Sequence, residues 1–76
     1  MSPAADTRPI YWEAHGRIWS MSGGKERMLP EAEARTLLTF YRTEGPKGDS
    51  WTRDYMARCF RELHQAMGDL HRRAAA

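Results

Sequence analysis

From Ile10 to Met21 the chain alternates, with apolar side chains at every second position on either side of His15-Gly16. A step of two is the period of a β-strand, and two residues that include glycine suffice to close a hairpin. With His15-Gly16 as the turn, Ala14 faces Arg17, Trp12 faces Trp19 and Ile10 faces Met21. Ile10, Trp12, Ala14, Trp19 and Met21 then share one face, the expected core face, while Tyr11, Glu13, Ile18 and Ser20 share the other. Gly23-Gly24 makes a second turn, from which Lys25 to Leu29 returns as a short third strand.

After Leu29 the period changes. Pro30 suits the first position of a helix, and Glu31 and Glu33 fall in a first turn, where the positive end of the helix dipole favours acids. Ala34, Leu37, Leu38 and Tyr41 gather on one side with Phe40 at its margin, and Glu31 and Arg35 have the spacing of an exposed ion pair. Gly45-Pro46 ends this helix near Thr43 or Glu44, glycine being suited to a left-handed cap. Asp49 or Ser50 caps a second helix over 51–73, and Trp51 beside the cap is expected to fold back as a staple.

The second helix carries the most regular pattern in the chain. Met56, Cys59, Phe60, Leu63, Ala66, Met67 and Leu70 recur at steps of three and four, which winds them into one stripe. At about 1.5 Å per residue it reaches about 35 Å, against about 21 Å for the first helix. Its end overhangs, so Met67 and Leu70 need a cover from the hairpin, a second copy or another protein. They are the expected dimer or partner contacts. The fold class is therefore α+β, a small antiparallel hairpin or three-stranded meander followed by two helices, ββ(β)αα. The domain spans 10–73, between a flexible arm over 1–9 and a disordered tail over 74–76.

Charge matters by location. The 76 residues hold 12 basic and 10 acidic side chains, a net +2. Residues 1–24 and 25–50 each balance to zero, so the excess lies in the last segment, where Arg53, Arg58, Arg61, Arg72 and Arg73 outnumber Asp54, Glu62 and Asp69. No apolar run approaches the length of a membrane span and the N-terminus lacks the pattern of a secretion signal, so a cytoplasmic protein is expected. The single cysteine, Cys59, lies on the apolar stripe and reads as a packed core thiol.

Little here supports catalysis. A core this small leaves scant volume for a substrate pocket, and HExxH, CxxC and GxxxxGK[ST] frames are absent from the sequence. His64 and His71 stand seven apart, a rise of about 10 Å, too far to ligate one metal together. No cofactor or metal is expected. The chemistry that remains is a band along one flank of the last helix, running through Arg53, Ala57, Arg61, His64, Gly68, His71 and Arg72, whose charged members are all basic. Arg53, Arg61, His64, His71 and Arg72 are the first expected partner contacts, and Tyr11 and Ile18, outward on the hairpin, are the second.

The run Ile10-Tyr11-Trp12, Gly16-Arg17-Ile18-Trp19, Gly23-Gly24-Lys25-Glu26-Arg27 and Glu31-Ala32-Glu33-Ala34 resembles the arm-binding or AP2-like DNA-binding domains of phage integrases over about half the chain. The resemblance implies a basic sheet face meeting the major groove. The outward face expected here offers Glu13 with Tyr11 and Ile18, so no binding residue is carried over. The expected function is a non-enzymatic interaction protein that binds and masks a surface of a larger protein or nucleoprotein complex, in the manner of phage-type inhibitors such as anti-CRISPR proteins. The alternative is a DNA- or RNA-binding accessory protein that uses the basic C-terminal helix. A homodimer is compatible with either.

Overall fold

The structure, a computed structural model, describes residues 8–75. Three antiparallel strands, β1 (Ile10–Ala14), β2 (Arg17–Ser22) and β3 (Lys25–Leu29), form one sheet in the order β1-β2-β3. They are followed by α1 (Glu31–Glu44), a single 3₁₀ turn at Gly45–Lys47, and α2 (Ser50–Ala75). This is the small ββ(β)αα fold that the periodicities predict. His15 and Gly16 have φ of 56° and 76°, the left-handed pair that a tight two-residue hairpin turn requires. With that turn in place the register is the expected one, Ile10 opposite Met21, Trp12 opposite Trp19 and Ala14 opposite Arg17.

The face is not the expected one. Tyr11, Ile18, Ser20 and Leu29 are buried against the helices, whereas Ile10 and Met28 are 48% and 43% exposed and Trp12, Trp19 and Met21 are half-buried. The face with Ile10, Trp12, Ala14, Trp19 and Met21 therefore points away from the helices, and Tyr11 and Ile18 belong to the core rather than to a partner surface. The polar tips of the inward residues are hydrogen-bonded there, which offsets the cost of burying them. The Tyr11 hydroxyl meets that of Tyr41 at 2.5 Å, and Glu13 accepts from Arg73 Nε at 2.6 Å. Both find a partner on a helix, and Glu13 also accepts the N–H of Gly16 in the hairpin turn at 2.9 Å. Trp19 needs none, because its indole N–H already donates to the carbonyl of Ala14 at 3.2 Å within the sheet.

Alpha1 ends at Glu44, within the expected limits, but not by a left-handed cap. Gly45 is helical, with φ −54° and ψ −51°. What its missing side chain permits is close approach, since a Cβ there would lie 3.2 Å from Cβ of Met56. Pro30 stands one residue before α1, its carbonyl accepting the N–H of Ala34 at 3.0 Å. Asp49 caps α2, its Oδ1 accepting the N–H of Thr52 at 2.9 Å. Trp51 does not fold back as a staple. It is 70% exposed and stacks along the helix on Tyr55, ring centroids 5.1 Å apart.

The α2 stripe is the centre of the core. Cys59, Leu63, Ala66 and Met67 are buried, and Leu70 packs against them. Met67 is buried in this cluster, whereas Leu70, expected with it as a dimer or partner contact, is half-buried at its edge. Burial pushes the Cys59 thiol above its ordinary pKa, as befits a packed core cysteine. Of the expected arm, Arg8 is held by Glu62 of α2 at 3.0 Å, and residues 1–7 lie outside the described residues. Alpha2 runs on through Ala74 and Ala75, which are therefore helical and not a tail, while residue 76 lies outside the described residues. No helix among the described residues is long and apolar enough to cross a membrane.

Candidate functional site

The basic band of α2 divides once its neighbours are in place. Arg72 pairs with Asp69 one turn back on its own helix. His71 Nε2 meets Glu31 Oε2 at 3.2 Å, and Arg35 donates to the same oxygen at 2.6 Å, so His71 joins the end of α2 to the start of α1. Arg35 first and His71 second hold the Glu31 carboxyl below its ordinary pKa. His64 stacks on Phe60, with centroids 5.4 Å apart and planes 14° from parallel. His64, His71 and Arg72 are all exposed, and each has a contact within the chain. Two charged members of the band remain, Arg53 and Arg61.

Arg53 and Arg61 border a groove of about 530 Å³ between the end of α1, the 3₁₀ turn and the first half of α2. Its floor is apolar, made by Tyr41, Pro46, Met56, Ala57 and Phe60, and Arg42 of α1 joins the two arginines at the rim. The sequence shapes it directly. Gly45 and Ala57 keep its walls low, Pro46 turns the chain between the helices, and the stripe spacing of Met56 and Phe60 sets both toward the α1 side. On α2, Arg53 and Arg61 are eight residues apart, which places their Cα atoms about 12 Å from one another along the helix.

Among the described residues, none of these three arginines makes an ion pair. Sequence spacing explains why. Arg42 and Arg61 have no carboxylate three or four positions away, and the one such acid near Arg53 is Asp49, which is engaged in capping α2. The cap holds the Asp49 carboxyl below its ordinary pKa, chiefly through the backbone N–H of Thr52. Three cations thus border an apolar floor without an ion pair among the described residues, although the charge of Arg53 helps to hold Asp49 low. Arg42 lies outside the expected site because that reading followed the last helix alone. The missing acid at helical spacing was the signal that could have found it.

Among the described residues, no group of three or more His, Cys, Asp or Glu side chains is placed to hold a metal ion. The comparisons with known proteins find no matching family model, no similar curated protein and no similar solved structure. The side chains and their geometry carry the functional reading.

Proposed function

We propose that the protein is a non-enzymatic interaction protein that masks part of a larger protein by taking an acidic, apolar-anchored segment of that partner into the groove between α1 and α2. The observation that carries this reading is the set of three arginines, Arg42, Arg53 and Arg61, that border an apolar floor and make no ion pair among the described residues. Arginine at such a rim favours carboxylates, which its planar fork engages with two parallel hydrogen bonds. The floor favours an aliphatic or aromatic side chain between them. An extended segment rises about 3.3 Å per residue, so acids about four residues apart span the separation of Arg53 and Arg61.

The test is a titration of the full chain against a short labelled peptide with two glutamates about four residues apart around a phenylalanine. Saturable binding is expected, weakened about tenfold or more in Arg61→Glu, since each desolvated charge pair is worth on the order of 1.5–3 kcal/mol. Replacing the phenylalanine by serine must weaken it as well. Binding that depends on the glutamates alone, or no saturation at all, would overturn the reading.

A second reading is nucleic-acid binding by α2, and one observation favours it. Arg58 on the same helix also makes no ion pair among the described residues. The apolar floor counts against it, because phosphate contacts are made by charged and polar donors. A mobility shift that falls steeply with salt and is lost in Arg53→Ala/Arg61→Ala would replace the first reading with this one.

A further inference from the structure

Among the described residues the sheet has helices on one face only, and the other face is apolar in two successive rows. Trp12, Trp19 and Met28 lie side by side across the three strands, and Ile10 and Met21 form the next row, which Glu26 closes. Alternation puts Arg17 on this face as well, in the row on the other side of the tryptophans. The face therefore has a basic end, an aromatic middle and an acidic corner at the opposite end. Arg17 and Glu26 make no ion pair among the described residues.

We propose that this face pairs with the same face of a second copy of the chain, sheet on sheet. The positions of the two charges favour this occupant and choose its orientation. A two-fold axis along β2 would set Arg17 against Arg17. A two-fold axis across the strands, through the row Trp12-Trp19-Met28, reverses the strand direction and keeps aromatic row over aromatic row. It carries each Arg17 over Met21 of the second copy, one strand away from that copy's Glu26. The contact is self-complementary, as an isologous interface must be, with two opposite-charge pairs and no like charges opposed. Packed sheets lie about 10 Å apart, a gap that an arginine and a glutamate side chain bridge together.

The hydrophobic gain is real but limited. Three strands give a face about 10 Å wide between outer strands, and five residues give about 16 Å of length, so the contact is small beside a standard interface. A weak dimer follows, one that forms with rising concentration. It differs from the groove in both place and chemistry: the groove lies in the helical layer, on the far side of the sheet, and stays open in the dimer.

The experiment is light scattering after size separation on the full chain over a concentration series, with far-ultraviolet circular dichroism as the check on folding. The mass is expected to rise from one chain toward two between about 10 µM and several hundred micromolar, the range of a small interface. Met28→Lys is expected to hold the chain monomeric with an unchanged spectrum. Arg17→Glu and Glu26→Arg alone should each weaken association about tenfold, and the two together should restore it. Monomer at every concentration would overturn the proposal, as would a dimer indifferent to Met28→Lys or a double exchange that fails to rescue. Peptide binding in the groove is expected to survive all of these substitutions, so the failure of one proposal leaves the other standing.

Discussion

The hydroxyls of Tyr11 and Tyr41 share a hydrogen bond of 2.5 Å inside the core, joining β1 to α1. Both residues are 7% exposed, so neither hydroxyl has ready access to water. Removing one leaves the other buried without a partner, a cost of about 1–3 kcal/mol, whereas removing both leaves nothing unsatisfied. Tyr41→Phe and Tyr11→Phe should therefore each destabilise the fold, and the double variant should lose less than the two losses added together. Urea unfolding of the four proteins gives the coupling directly. Burial raises both tyrosine pKa values, most strongly for Tyr41, where the bond to Tyr11 adds to it. Groups raised in the folded state stabilise fully below the ordinary tyrosine value near 10, and that contribution is lost as the pH climbs from there toward the folded value. The double phenylalanine variant should lose less stability than the parent over the same alkaline range.

At the other end of β1, Glu13 binds the hairpin turn to the end of α2. Its carboxylate accepts from Arg73 Nε at 2.6 Å and from the N–H of Gly16 at 2.9 Å, and its side chain is 7% exposed. Arg73 first, and then Gly16, hold the Glu13 carboxyl below its ordinary value of 4.5. A lowered carboxylate contributes stability that is present above the unfolded value and lost as the pH falls through the folded one. Thermal melts between pH 7 and pH 3 should show Tm falling on the acid side, with a shallower fall in Glu13→Gln. Equal slopes would show that the clamp does not contribute. Some acid sensitivity should persist in the variant, because Glu31, Glu33 and Asp49 are also held low.

Leu70 packs against the buried cluster beneath the sheet, so a charge there acts on the fold before it acts on assembly. Leu70→Asp is expected to cost about 2–4 kcal/mol, through lost apolar burial and a poorly solvated carboxylate. Denaturant titration should show the loss as a lower midpoint. A change in molecular mass with an unchanged midpoint would instead place Leu70 at an interface between chains.

The candidate site was half legible. Arg53 and Arg61 lie on the helix flank where the sequence puts them, and both border the groove. His64, His71 and Arg72 share that flank, are exposed, and contact Phe60, Glu31 and Asp69 in turn. Arg72 and Asp69 are close in sequence, and so are His64 and Phe60, so their pairing could have been weighed. His71 and Glu31 are forty residues apart, and their meeting depends on how the two helices pack.

Local chemistry determined the elements, their order and their register. A period of two, two glycine-containing turns, a capping Asp49 and a stripe at steps of three and four act over a few residues, and nothing distant competes with them. Alternation also determined which side chains share a sheet face. It could not determine which face turns inward, because a strand pattern is symmetric between its two sides, and the more apolar side looked like the core. The tertiary structure decided that by partners thirty and sixty residues away, Tyr41 for Tyr11 and Arg73 for Glu13. A hydroxyl and a carboxylate drawn into the fold require hydrogen bonds there, and Tyr41 and Arg73 on the helices supply them, with the Gly16 N–H adding one to Glu13. Trp19 satisfies its indole N–H within the sheet, and both tryptophans stay on the outward face.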